Sequence, residues 1–138
     1  MRLIVVLEDD AWRVQAMRQA VKLLEHCELL VFASAPKIIS WLVANPGKAQ
    51  LLSLDCDLDA AALLDENCGS GADVTAFLAR SPSVSPIIVH SSNALRAPAM
   101  HMELAFAGCT NVFLRPFRDA ESWAADVRQA LEHAQADG

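Results

Sequence analysis

The sequence is poor in the features that mark metal fingers, disulfide scaffolds and membrane proteins. Only four cysteines occur, at 27, 56, 68 and 109, and no two form a CxxC pair. None stands beside a histidine at zinc-finger spacing, so they read as free thiols in a reducing compartment. The four histidines (26, 90, 101 and 133) are scattered, and His101 has no partner four residues on. A helical metal pair is therefore absent. Basic residues are outnumbered, 11 against 17 acidic, for a formal net charge of −6. A general nucleic-acid binder needs a positive surface to displace counterions, so no nucleic-acid partner is expected. Long apolar runs are missing as well. The run at Leu3–Leu7 is too short to cross a bilayer or to serve as a signal peptide, and no small-residue cleavage site follows it. The expectation is a cytoplasmic protein with no membrane partner. No repeat, linker or low-complexity segment divides the 138 residues, and 54% of them are apolar. One domain, 1–138, with one well-filled core follows.

What is present is an alternation of strand and helix, five times over. Leu3–Leu7 is continuous and β-branched, as in a strand buried on both faces. Asp9 or Asp10 can cap the next helix, whose Val14, Met17, Val21 and Leu24 recur at steps of three and four. Leu29–Ala33 reads as a second strand. Ser34 then caps a helix with Pro36 in its first turn and with Ile38, Ile39, Leu42 and Val43 inward, stopped by Asn45, Pro46 and Gly47. Leu51–Leu54 is a third strand, ending at Asp55. Residues 56–71 are irregular and acidic, with a Gly-Ser-Gly turn at 69–71, and a helix runs from Asp73 to Arg80. Pro86–Val89 is a fourth strand, followed by a helix over about 97–107 that Gly108 ends. Val112–Leu114 is a short fifth strand, and the last helix covers about 119–135 with Trp123, Val127 and Leu131 on one face. Trp12 and Trp41 read as packing or partner-surface residues.

Five strand-helix units imply a parallel sheet with helices on both faces. In such sheets the site lies beyond the carboxyl ends of the strands, where strand order reverses. The residues there are Glu8, Asp9 and Asp10 after strand one, Asp55 and Asp57 after strand three, Ser91 and Ser92 after strand four, and Arg115 after strand five. Each has a plainer reading: a helix cap for the first acids, a turn hydroxyl for Ser91, a solvated charge for Arg115, a packed strand-end side chain for His90. If the strands are neighbours, however, the carboxylates converge and repel unless a cation intervenes. A hard divalent ion takes carboxylate oxygens and leaves positions for a phosphate. An aspartate facing it can act as nucleophile on an activated phosphoryl group. A hydroxyl and a strand-end cation can hold the phosphoryl oxygens.

Four segments carry a resemblance over nearly the whole chain: Leu-Ile-Val-Val-Leu-Glu-Asp-Asp at 3–10, Leu-Leu-Ser-Leu-Asp at 51–55, Pro-Ile-Ile-Val-His-Ser at 86–91 and Asn-Val-Phe-Leu-Arg-Pro-Phe at 111–117. They resemble the receiver domain of two-component response regulators. The resemblance implies a flavodoxin-like α/β domain with one doubly wound, five-stranded parallel sheet in the order 2-1-3-4-5. It implies Mg²⁺ (or Mn²⁺) held by Glu8, Asp9, Asp55 and the backbone carbonyl of Asp57. Asp55 would be the phosphoacceptor, Ser91 and Arg115 the phosphoryl contacts, and the Arg115–Pro116 bond cis. Partners would be a histidine kinase or phosphotransfer protein and a downstream effector, reached through the face of the 97–107 helix and the fifth strand. Homodimerisation stays open.

This sequence departs from the family in four places. Arg115 stands for a lysine, and Val112 stands where a switch aromatic is usual. His90 stands where an apolar residue is commoner. The stretch between Asp55 and Gly71 is about eight residues longer than the family's, although strand-to-helix links usually run to about 2–6 residues. Ser-Leu-Asp-Cys-Asp-Leu at 53–58, Gly-Ala-Asp-Val at 71–74, His-Ser-Ser-Asn at 90–93 and Met100 are similar to the cyclic-phosphate-processing receivers, with Cys56 for that group's histidine and Ala72 for its tyrosine. The leading expectation is a stand-alone phosphorelay receiver that signals through a partner. The alternatives are a metal-dependent phosphoesterase acting on a cyclic phosphate, and a non-phosphorylated pseudo-receiver adaptor.

Overall fold

A computed structural model describes residues 1–82 and 84–137. The apolar run near the start becomes β1, Arg2–Leu7, with Ile4, Val5, Val6 and Leu7 fully buried. Side chains alternate across a strand, so the run feeds two cores. Val5 and Leu7 join Leu52, Leu54, Ile87 and Val89 on one face, while Ile4 and Val6 join Leu51 and Ile88 on the other. Both faces are covered, which is why these strands are apolar throughout.

Five parallel strands form the sheet in the order β2-β1-β3-β4-β5, with β2 at Cys27–Phe32, β3 at Leu51–Leu54, β4 at Ile87–Val89 and β5 at Val112–Leu114. Helices α2 (Ala35–Ala44), α4 (Gly71–Arg80) and α5 (Arg96–Phe106) cover the Val5 face through Ile38, Val74, Leu78, Met100 and Leu104. Helices α1 (Ala11–Ala20) and α6 (Ala120–Asp137) cover the other through Met17, Ala20, Trp123 and Val127. No helix among the described residues is long and apolar enough to cross a membrane. Strand order reverses between β1 and β3, which opens a crevice at their carboxyl ends.

Several local expectations shift. β2 starts at Cys27 and ends at Phe32, because it pairs with β1 from Arg2↔Cys27 to Leu7↔Phe32. Val43 is not inward: α2 turns Ala35, Ile38 and Leu42 to the core and leaves Val43 64% exposed, a helical step of about 100° past Leu42. α1 stops at Ala20 and tightens into a 3-10 turn, Val21–Leu23, before Leu24. α4 begins two residues before the expected Asp73, because the Asp73 carboxylate reaches back to accept the Ser70 N–H at 2.9 Å. The long 56–71 connection holds a one-turn helix, α3 (Asp59–Ala62), and is anchored rather than loose. Leu58 and Cys68 are buried, and the Cys68 carbonyl accepts the Ala35 N–H at 2.7 Å. No peptide bond among the described residues is cis, so Arg115–Pro116 is trans, against the family's pattern.

Candidate functional site

The carboxyl ends of β1, β3 and β4 open on a cavity of about 420 Å³. Glu8, Asp9, Asp10, Asp55, Asp57 and Asp59 line it with Ser91, Ser92 and Asn93, and Arg13 is the one cation that lines it among the described residues. Glu8, Asp9, Asp55, Asp57 and Ser91, all expected here from the sequence, are brought together. Asp10 serves the helix: its Oδ1 accepts the Arg13 N–H at 3.0 Å and caps α1.

Glu8 is buried, and both its oxygens are occupied. Oε2 accepts the backbone N–H groups of Asp9 and Asp10 at 3.0 and 3.1 Å. Oε1 lies 2.9 Å from His90 Nε2 and 3.6 Å from an Arg13 guanidinium nitrogen. Burial alone would raise the pKa of Glu8, but the His90 hydrogen bond, the Asp10 N–H and the Arg13 charge outweigh it and hold the carboxyl below its ordinary value. Asp55 is pushed the other way. Burial, then the negative charge of Glu8, raise it to about 7, against a weaker pull from the Cys56 N–H that its Oδ1 accepts at 2.9 Å. Two neighbouring carboxyls held apart in acidity are a pair that a cation would reconcile.

Asp9 is divided between two tasks. Its Oδ2 accepts the Ala61 N–H of α3 at 2.8 Å, so the inserted segment is tied to the cavity rim. Burial still raises its pKa, helped by the charge of Glu8. The Asp57 side chain turns toward α5, accepting from Asn93 Nδ2 at 3.0 Å and Arg96 at 3.1 Å. Ser91 Oγ accepts the Asn93 N–H at 3.1 Å and keeps its hydroxyl on the cavity wall. Cys56 is buried with Sγ 3.0 Å from Met100 Sδ, and burial pushes its thiol up, so it stays a protonated thiol rather than a thiolate.

Arg115 is the expected site residue that the fold does not bring in. Its guanidinium lies over the Phe113 ring, 5.8 Å from the centroid, and donates to the Leu114 carbonyl at 3.0 Å. Arg13, on the first turn of α1, stands in the cavity instead, braced against Phe117 at 5.8 Å. His90 is the other group the sequence undersold. A serine inside the apolar run 51–54 was the available signal, because Ser53 Oγ meets His90 Nδ1 at 2.7 Å.

The donor set suits a hard divalent ion: carboxylate oxygens of Glu8 and Asp55 converge at a cavity open to water, with Asp9 beside them. Glu8, Asp55 and His90 each bring a possible ligand atom within 4.8 Å of the others.

No family model matches the sequence, and no curated protein matches it. The fold, by contrast, is widely shared. A response regulator receiver domain protein (CheY-like) from Methanospirillum hungatei JF-1 superposes with a TM-score of 0.73 at 15% identity, over 100% of this chain and 99% of that one. A response regulator receiver domain protein from Clostridium thermocellum gives 0.71 at 14% identity, over 100% of both chains. A BeF3-activated DrrB receiver domain gives 0.63 at 18% identity, over 96% and 98%. A parallel sheet in the order 2-1-3-4-5 with an acidic crevice at its switch point is the flavodoxin-like receiver fold, and this chain has it.

Proposed function

We propose that the chain is a phosphoryl-accepting receiver of the phosphorelay type, with Asp55 as the acceptor. The observation that carries this reading is the meeting of Glu8, Asp9, Asp55 and Ser91 around one cavity at the reversal of strand order. Glu8 and Asp55 would hold Mg²⁺ (or Mn²⁺), with Asp9 and the Asp57 carbonyl completing the set. Bound there, the ion would supply positive charge for phosphoryl transfer and would favour the ionised form of Asp55. The carboxylate of Asp55 attacks phosphorus, an aspartyl phosphate forms, and the donor departs with the electrons of the broken bond. Ser91 donates its hydroxyl to a phosphoryl oxygen, and Arg13 takes the place that Arg115 leaves. The donor would be a histidine kinase or phosphotransfer protein, and the output a change of affinity for an effector, in the cytoplasm.

Incubation with acetyl phosphate and Mg²⁺, followed by intact-mass measurement, tests this. The expected result is a gain of one phosphoryl group that Asp55→Asn abolishes. No gain at any Mg²⁺ or Mn²⁺ concentration would leave the two alternatives, the cyclic-phosphate phosphoesterase and the pseudo-receiver adaptor, as the readings.

A further inference from the structure

Behind the cavity a chain of hydrogen bonds runs through the core. Trp123 Nε1, on α6, donates to Ser53 Oγ at 3.1 Å. Ser53 Oγ meets His90 Nδ1 at 2.7 Å, and His90 Nε2 meets Glu8 Oε1 at 2.9 Å. All four side chains are at most 1% exposed, so the links between them are shielded from bulk solvent.

The proton order along this chain follows from counting donors. An indole N–H only donates, and an ionised carboxylate only accepts. Glu8 Oε2 already accepts two backbone N–H groups, which suits the charged form. Oε1 then needs a donor, which is His90 Nε2–H. If Nε2 carries the proton of a neutral ring, Nδ1 is bare and must accept from the Ser53 hydroxyl. Ser53 then has lone pairs free for the Trp123 indole. Every proton has one acceptor, and the links point the same way, from tryptophan to serine to histidine to glutamate. A proton on Nδ1 would place two donors on Ser53 Oγ and leave its own hydroxyl proton without an acceptor among the described residues. Leaving a buried hydroxyl proton without an acceptor is costly, so that arrangement is disfavoured.

We infer that His90 is a positioning residue: a neutral imidazole, oriented from behind by Ser53 and Trp123, whose Nε2–H fixes the Glu8 carboxylate at the cavity wall. It is a donor to Glu8 and not itself a metal ligand, although its ring lies beside the carboxylates. The consequence for cation binding rests on the receiver reading above, whereas the proton order does not. Outer-sphere hydrogen bonds of this kind typically change metal affinity by about 10–100-fold.

Two measurements on the full chain test it. Long-range ¹H–¹⁵N correlation of the His90 ring in metal-free protein should find Nε2 protonated and Nδ1 bare, and Ser53→Ala should shift the Nδ1 resonance. Protonated Nδ1 in the wild type, or no response to Ser53→Ala, overturns the inference. Calorimetric titration with Mg²⁺ should show His90→Leu weakened by about tenfold or more, and His90→Gln, whose amide still donates to Glu8, within about threefold of wild type. Equal losses in both variants, in step with their stability, would mean a packing role only and overturn it. If wild type binds no Mg²⁺, the cation reading of the cavity fails and the ring correlation alone decides His90. Should His90→Leu not fold, Ser53→Ala and His90→Gln carry both arms.

Discussion

Replacing Asp55 by asparagine in the metal-free protein should stabilise the fold, and by an amount that grows with pH. An exposed aspartate titrates near 3.8, whereas Asp55 in the fold is raised to about 7 by burial and by the charge of Glu8. Below about pH 4 the carboxyl is protonated in both states and makes no difference. Between about 4 and 7 the unfolded chain releases the proton while the folded chain keeps it, so the folded state binds more protons and stability falls as pH rises. Above 7 the penalty is complete and constant. The separation is about three units at 1.36 kcal/mol each, a ceiling of about 4 kcal/mol. Water in the open cavity raises the effective dielectric, so roughly 2 kcal/mol is a reasonable floor. Asparagine has the same shape without the charge, and its amide can donate to Glu8. The assay is urea unfolding of wild type and Asp55→Asn at pH 5, 6, 7 and 8 with a chelator present. Other raised carboxyls, Asp9 and Asp126, contribute alike to both proteins and cancel in the difference. The variant should lead by about 2–4 kcal/mol at pH 8 and by about 1 kcal/mol at pH 5. Parallel pH slopes for the two proteins would refute the account of Asp55.

Gly71→Ala should cost about 3 kcal/mol in the same unfolding assay, because its Cβ would stand 2.0 Å from the Asp55 carbonyl and 2.9 Å from Cys56 Cα, and backbone must move. A loss below about 0.5 kcal/mol would refute a tight backbone approach between β3 and α4. Arg13→Gln should slow phosphorylation by acetyl phosphate about tenfold, the worth of one charge-assisted hydrogen bond, while Arg115→Gln stays within about twofold. The reverse order would return the phosphoryl contact to β5. Mg²⁺ should raise the melting temperature of wild type more than that of Asp55→Asn, since an ion that needs both carboxylates stabilises only the form that has them. Equal shifts would place the ion elsewhere.

The architecture is legible in the sequence. Apolar strands at 3–7 and 86–89, and at 51–54 but for Ser53, suit burial on both faces, and alternation with amphipathic helices leaves a parallel sheet as the arrangement. Strand ends that carry Glu8, Asp9, Asp55 and Ser91 locate the cavity by the same logic, since topology places those ends side by side. Element limits were less legible where they depend on a partner strand, as in β2, or on a side chain reaching back, as in Asp73. What the sequence could not disclose is the direction in which a side chain leaves its strand end. Arg115 follows its strand as the resemblance requires, yet the Phe113 ring and the Leu114 carbonyl capture its guanidinium, and Arg13 stands in the cavity from a different element. Asp9 lies among the acids, yet an N–H of the inserted segment takes one of its oxygens. Ser53, His90 and Trp123 are far apart in the chain, and only the packing of α6 beneath β3 and β4 joins them behind Glu8. Periodicity and strand-end composition are local and determine which residues can meet. Hydrogen bonds between remote side chains depend on the packed register of several elements at once, and that only the tertiary structure decided.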